Sequence, residues 1–167
     1  MTCSHAVKLV SEWGFNLRYA EKYTYREDGR IIRIRDGRLA DESITQAGYR
    51  RVFWLKGGRK TYCAAHRVVW ELCKGPIPMG LQVDHINGVK TDNRIENLRL
   101  VTQAENQQNV PRKGYYWYPK NRCWGSCISI DGKRLFLGLF QTEAEAKAAY
   151  LAAKKVHHKA ASEYAFQ

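Results

Sequence analysis

The sequence lacks any long apolar run: Leu135 to Phe140 is among the longest and is broken by Gly138. A bilayer span needs about 20 such residues, so no membrane crossing is expected. The amino end, Met1 to Leu17, lacks a charged stretch followed by a sustained apolar one, so no secretion signal is expected and a reducing cytoplasm is. Paired Cys-x-x-Cys motifs are also missing, and the cysteines number five, an odd count. A disulfide framework is therefore not expected. Cys63, His66 and Cys73 offer three zinc ligands without a convincing fourth, while Cys123 and Cys127 on one strand would stand about 13 Å apart, too far to share a cation. Acidic residues are scarce, 16 against 28 Lys and Arg, which leaves a net charge of +12.

What is present is a globular balance, with 44% hydrophobic and 26% charged residues among 167. This excludes bulk disorder, collagen-like repeats and a pure coiled coil, and allows one domain or a few small modules. The basic surplus points to a polyanion, with nucleic acid the first choice. It is unevenly spread. Residues 1–62 carry 13 basic and 7 acidic side chains, residues 63–110 carry 5 of each, and residues 111–167 carry 10 and 4. Two basic flanks suited to phosphates thus enclose a neutral centre suited to a cation site.

Local patterns give an α+β protein. Val10, Trp13 and Leu17 recur at helical spacing, and Tyr23 to Ile34 alternates around Asp28-Gly29 as a hairpin. Tyr49 to Leu55 and Lys60 to Ala64 flank Gly57-Gly58 as paired strands, and a helix from His66 to Cys73 stops at Gly75-Pro76. In the centre, Leu81 to Ile86 and Leu98 to Val101 read as strands, followed by a helix that Thr102 and Glu105 cap reciprocally. Beyond it come three strands, Tyr115 to Tyr118, Cys123 to Ile130 and Lys133 to Phe140, then a helix capped by Thr142 and Glu145. Ala146, Ala149, Tyr150 and Ala153 form its core stripe, and Lys154 and Lys155 suit its negative end.

Phosphodiester hydrolysis needs a base for water and a cation for the phosphate and departing oxygen. His85 has the right pKa range for the base, and Asp84 beside it offers a hard oxygen. Asn106 offers a second oxygen, and the Asn97 amide is placed to orient the loop around His85. Neighbours on a regular strand point to opposite faces, so a site shared by Asp84 and His85 requires a strand end or a bulge.

Val83-Asp84-His85-Ile86-Asn87-Gly88, then Asp92-Asn93-Arg94-Ile95-Glu96-Asn97-Leu98-Arg99, then Asn106-Gln107-Gln108-Asn109 resembles the HNH endonucleases, in particular the phage and intron-associated homing branch. The resemblance implies a ββα-metal core with His85 as general base, Asn97 as the residue that positions it, and Asp84 and Asn106 as metal ligands. Asn106 stands where other members have a third His, which favours Mg²⁺ or Mn²⁺ over Zn²⁺. Farther on, Trp124-Gly125, Gly132-Lys133-Arg134, Leu137 to Phe140 and Thr142 to Tyr150 resemble an Apetala-two DNA-binding domain, in which a three-stranded sheet packed on one helix meets the major groove.

The expected organisation is a strand-rich basic module over 1–62, a nuclease core over 63–112 and an Apetala-two-like domain over 113–167. The expected partner is double-stranded DNA, met by a monomer with no obligate protein partner, in a bacterial cytoplasm if the gene is of phage origin. Expected contacts are Arg50, Arg51, Lys56, Arg59 and Lys60 in the first flank, and Arg112, Lys113, Lys120, Arg122, Trp124, Lys133 and Arg134 in the last. Trp117 is expected to pack in the core. The resulting function is site-specific DNA cleavage, nicking somewhat favoured over a double-strand break. The rival is a non-catalytic, sequence-specific DNA-binding regulator.

Overall fold

The computed structural model describes residues 19–56 and 58–167, excluding the Lys56 side chain. The helix expected around Val10, Trp13 and Leu17 lies outside these residues, as does Gly57 of the expected turn. The chain divides into two compact units, Met1–Val101 and Thr102–Gln167.

In the first unit, β1 (Tyr23–Tyr25) and β2 (Ile31–Arg33) form the expected hairpin, with Tyr23 opposite Arg33 and Tyr25 opposite Ile31. Its turn needs Gly29, whose φ of +83° is unfavourable for a residue bearing a Cβ. Strands β3 (Ser43–Ile44), β4 (Arg50–Lys56) and β5 (Arg59–Ala64) make an antiparallel sheet in the order β3-β4-β5. Helix α1 (Ala65–Lys74) follows β5 without a break and ends at Gly75, φ +91°. Ala65, Val68, Val69 and Leu72 give it one buried face at helical spacing. A two-stranded sheet of β6 (Leu81–His85) and β7 (Leu98–Thr102) completes the unit.

One core joins these pieces: Tyr19, Tyr23, Ile31 and Val52 pack with Val68, Val69, Leu72, Val83 and Leu98. Burying each such aliphatic side chain is worth about 1.5–3 kcal/mol. The boundary expected at 62/63 falls inside β5, and residues on both sides of it share this core. Strand pairing and apolar burial tie the basic amino-terminal strands to the segment carrying His85.

The second unit begins with α2 (Gln103–Gln108), where Thr102 Oγ1 accepts from Glu105 N at 3.2 Å and the Glu105 carboxylate accepts from Thr102 N at 2.7 Å. Strands β8 (Tyr115–Tyr118), β9 (Cys123–Ile130) and β10 (Lys133–Phe140) form an antiparallel sheet with β9 central. Helix α3 (Glu143–His157) packs against all three, and its Thr142-Glu145 capping box is present as expected. Ala146 and Tyr150 are buried, and no Cβ fits at Gly114, because the Tyr150 ring occupies that space.

One expectation is corrected here and another is extended. Trp117 is 45% exposed, because β8 is an edge strand with a neighbour on one side only, and the indole rests edge-on against Trp124 at 5.5 Å. Lys154 does more than sit at a helix end: it is 1% exposed, and its Nζ donates to Val110 O at 3.0 Å and Ala165 O at 2.7 Å. Burial lowers its pKa, and those two carbonyls stabilise the buried ammonium. Lys154→Met strands both carbonyls and is expected to cost about 2 kcal/mol or more. Thermal unfolding followed by circular dichroism checks this, and a midpoint equal to that of the parent protein contradicts it.

Candidate nuclease site

The turn between β6 and β7 is built from side chains acting as backbone partners. Asn97, in a 3₁₀ turn over Ile95–Asn97, accepts from Asn87 N at 3.0 Å and donates to Asn87 Oδ1 at 2.9 Å and Asp92 O at 2.8 Å. Asn87 in turn accepts from Val89 N at 2.9 Å and donates to Asp92 Oδ2 at 2.9 Å. Arg94 grips Asp92 through Nε and Nη2, both at 2.8 Å. These bonds satisfy backbone groups that the strands no longer pair.

His85 is the last residue of β6 and is 4% exposed. Its Nε2 lies 3.0 Å from Asn93 Oδ1, and its ring stands 5.0 Å from the His66 ring and 5.9 Å from that of Tyr49. Burial holds its pKa below the usual 6.5, although Asn93, Asp84 and Asp92 oppose the shift. His66 is pushed down to about 3, chiefly by burial and then by His85 and Arg67. Both imidazoles are therefore neutral at physiological pH.

Asp84 and His85 face different neighbours, as strand alternation requires. His85 shares the buried side with Val83, while Asp84 Oδ2 receives Arg99 Nε and Nη2, each at 3.0 Å. Arg99 and Asn93 are not among the expected site residues, although both lie in the segment Asp92 to Arg99. Their roles depend on the β6-β7 pairing and on loop closure, which residue types alone do not reveal. Asn106 lies on α2 in the second unit.

Among the described residues no three His, Cys, Asp or Glu side chains group as a metal cage.

The expected DNA contacts differ in how far internal bonds engage them. Arg50 Nη1 donates to Asp41 O at 3.2 Å, and its Nε is buried, so part of this side chain serves the fold. Arg51 bonds Ser43 Oγ at 2.9 Å and lies 4.5 Å above the Tyr62 ring. Arg59 is exposed, as is Lys60, which stands 5.6 Å over Phe53. Lys56 lies outside the described side chains. In the second unit Arg112 donates to Gln107, Lys113 pairs with Glu143 at 3.1 Å and reaches over Trp124, and Arg134 Nε donates to Cys127 Sγ at 3.0 Å. Trp124 is partly buried; Lys120, Arg122 and Lys133 are exposed.

Residues 63–108 match the family model described as HNH endonuclease. Those residues span α1, both strands of the small sheet and α2, and so include His85, Asn97 and Asn106. Among individual proteins, the chain is 35% identical over 77 residues to Protein 3.8 of Escherichia phage T7, covering 41% of this chain and 64% of that protein. It is 35% identical over 104 residues to DNA endonuclease I-HmuI of Bacillus phage SP01, covering 62% of this chain and 59% of that protein. A solved structure of DNA binding and cleavage by the HNH homing endonuclease I-HmuI aligns with a TM-score of 0.48 and 34% identity, over 55% of this chain and 53% of that one. The chain thus spans less than two thirds of these relatives.

The Arg94 clamp holds the Asp92 carboxyl down to about 2 from its ordinary 3.8, with Asn87 and the Arg94 backbone amide adding to the effect. A lowered folded-state pKa means that this contribution to stability is full above about pH 4 and is lost as pH falls through about 2. The Asp92 carboxyl carbon-13 resonance is expected to titrate near 2, and Arg94→Ala should return it toward 3.8. A midpoint near 3.8 in the parent protein would show that the clamp is not formed in solution.

Proposed function

We propose that this chain is a homing-type DNA endonuclease that hydrolyses one phosphodiester bond with a histidine base and a single divalent cation. The observation that carries the reading is His85: a buried, neutral imidazole next to Asp84 in sequence, inside the segment that matches the HNH endonuclease model. His85 takes a proton from water, the water oxygen attacks phosphorus, and the bond to the 3′ oxygen breaks; that oxygen takes a proton from solvent water, leaving 5′-phosphate and 3′-hydroxyl ends, and His85 returns its proton to solvent. Asp84 and Asn106 are the residues that would hold the cation, Mg²⁺ or Mn²⁺. When bound, the cation supplies charge neutralisation for the phosphate and the leaving oxygen. Asn97 shapes the loop on which His85 is presented.

The partner is duplex DNA, in the cytoplasm of a bacterial host, a setting that the phage relatives support. The exposed cations of the first unit, Arg59 and Lys60 with Lys56 beside them in sequence, take phosphates, joined by the outer edge of Arg51. In the second unit the three-stranded sheet backed by α3 supports an Apetala-two-like mode, with Lys120, Arg122, Trp124, Lys133 and Arg134 as contacts. Arg112 and Lys113 lie at the entry to that sheet. A monomer brings one site to one strand, so nicking is favoured over a double-strand break.

Supercoiled plasmid incubated with and without Mg²⁺ tests the catalytic part. Relaxed circles are expected with Mg²⁺, and His85→Ala should slow their formation about 10²–10⁴-fold with DNA binding retained. Binding without cleavage at any divalent cation would instead identify a DNA-binding regulator. For the electrostatic part, neutralising about six phosphates gives a slope near −5 for log affinity against log salt concentration. A nearly flat slope contradicts the proposed role of the basic flanks.

A further inference from the structure

We propose that Asn93 is the positioning residue for the base: it fixes His85 in the tautomer that carries its proton on Nε2 and leaves the lone pair on Nδ1. The inference rests on the nuclease reading and adds the atom that receives the proton from water. Asn93 is 1% exposed, and its Oδ1 lies 3.0 Å from His85 Nε2 across eight residues of chain. A carboxamide oxygen only accepts, so the ring nitrogen facing it is the one that donates. The other half of the same amide, Nδ2, is buried with no hydrogen-bond partner among the described residues. An orphaned buried donor costs about 1–3 kcal/mol, so an amide kept at that cost is there for the bond its oxygen makes.

The surroundings enforce this arrangement. Gly29 at the tip of the β1-β2 hairpin abuts the Asn93-Arg94 backbone so closely that a Cβ would lie 2.6 Å from Arg94 N and 2.7 Å from the Asn93 carbonyl carbon. The Tyr25 hydroxyl of the same hairpin accepts from Ile95 N at 3.1 Å, bracing the segment at a second point. Tyr49 and His66 confine the imidazole plane, with His66 edge-on at 79°. The Asn97 amide bonds Asn87 and Asp92, so it shapes the loop, whereas Asn93 touches the ring itself.

Long-range proton-nitrogen-15 spectra of the full chain, without metal or DNA and at a pH where His85 is neutral, read the tautomer directly. The protonated Nε2 pattern is expected in the parent protein, and the opposite pattern there overturns the proposal without any variant. Asn93→Leu, which removes the acceptor, should give an averaged or reversed pattern and lower kcat for plasmid cleavage about 10–100-fold, the range for loss of a group that orients a site residue, with KM changed less than about threefold. Asn93→Asp keeps an acceptor at the same position and should recover both the pattern and most of the rate. Unchanged tautomer and rate in Asn93→Leu overturn the inference while leaving the nuclease reading intact. A parent protein that never cleaves DNA overturns both.

Discussion

A histidine serves as a base through a ring nitrogen that keeps its lone pair, and a hydrogen-bond acceptor on the other nitrogen fixes which of the two that is. Asn93 Oδ1 is such an acceptor for His85 Nε2, and the β1-β2 hairpin packs directly against the segment that carries it. To return from His85 to Asn93, the chain must leave the β6 ladder and turn back before β7 begins, exposing amides and carbonyls that the strands no longer pair. Asn87, Asp92 and Asn97 take over those groups, and Arg94 locks the one carboxylate among them. The β1-β2 hairpin supplies the backing: Gly29 meets the loop where a Cβ would clash, and the Tyr25 hydroxyl accepts from Ile95 N. The basic amino-terminal strands are therefore part of the scaffold around His85.

Local chemistry explains which features could be read in advance. Both capping boxes, Thr102 with Glu105 and Thr142 with Glu145, depend on four consecutive residues and formed as expected. The two hairpins whose strands flank glycine turns, and the helix stopped by Gly75, depend on equally short segments. His85 and Asp84 stand out through residue types at fixed spacing, a signal that needs no knowledge of the fold.

The parts that stayed hidden are those created when distant segments meet. Arg99 reaches Asp84 only because β7 pairs with β6 across an intervening loop, and nothing within Leu98 to Val101 marks its arginine as different from one turned to solvent. Asn93 sits in a stretch of polar residues that composition assigns to an exposed turn, yet it is buried by the packing around it. The division near 62/63 followed the charge of the flanks, whereas compaction follows apolar contacts, and Val52 with Val68 places both sides of that point in one core.

Charge makes the same distinction. The net +12 counts every lysine and arginine alike, but several serve the interior. Arg30 holds Asp41, which is fully buried; Arg50 bonds that residue's carbonyl; Arg99 holds Asp84; and Lys154 holds two carbonyls. Such cations are fixed by the groups around them, and each phosphate that sought one would have to displace an internal partner. The cations able to meet DNA at little cost are the exposed ones, Arg59 and Lys60 in the first unit and Lys120, Arg122 and Lys133 in the second. Arg51, Lys113 and Arg134 are intermediate, since each already rests over an aromatic ring and bonds a hydroxyl, a carboxylate or a thiol. That arrangement limits their rotamers before any ligand arrives, lowering the entropy lost on contact and leaving the strongest electrostatic pull to side chains that remain mobile.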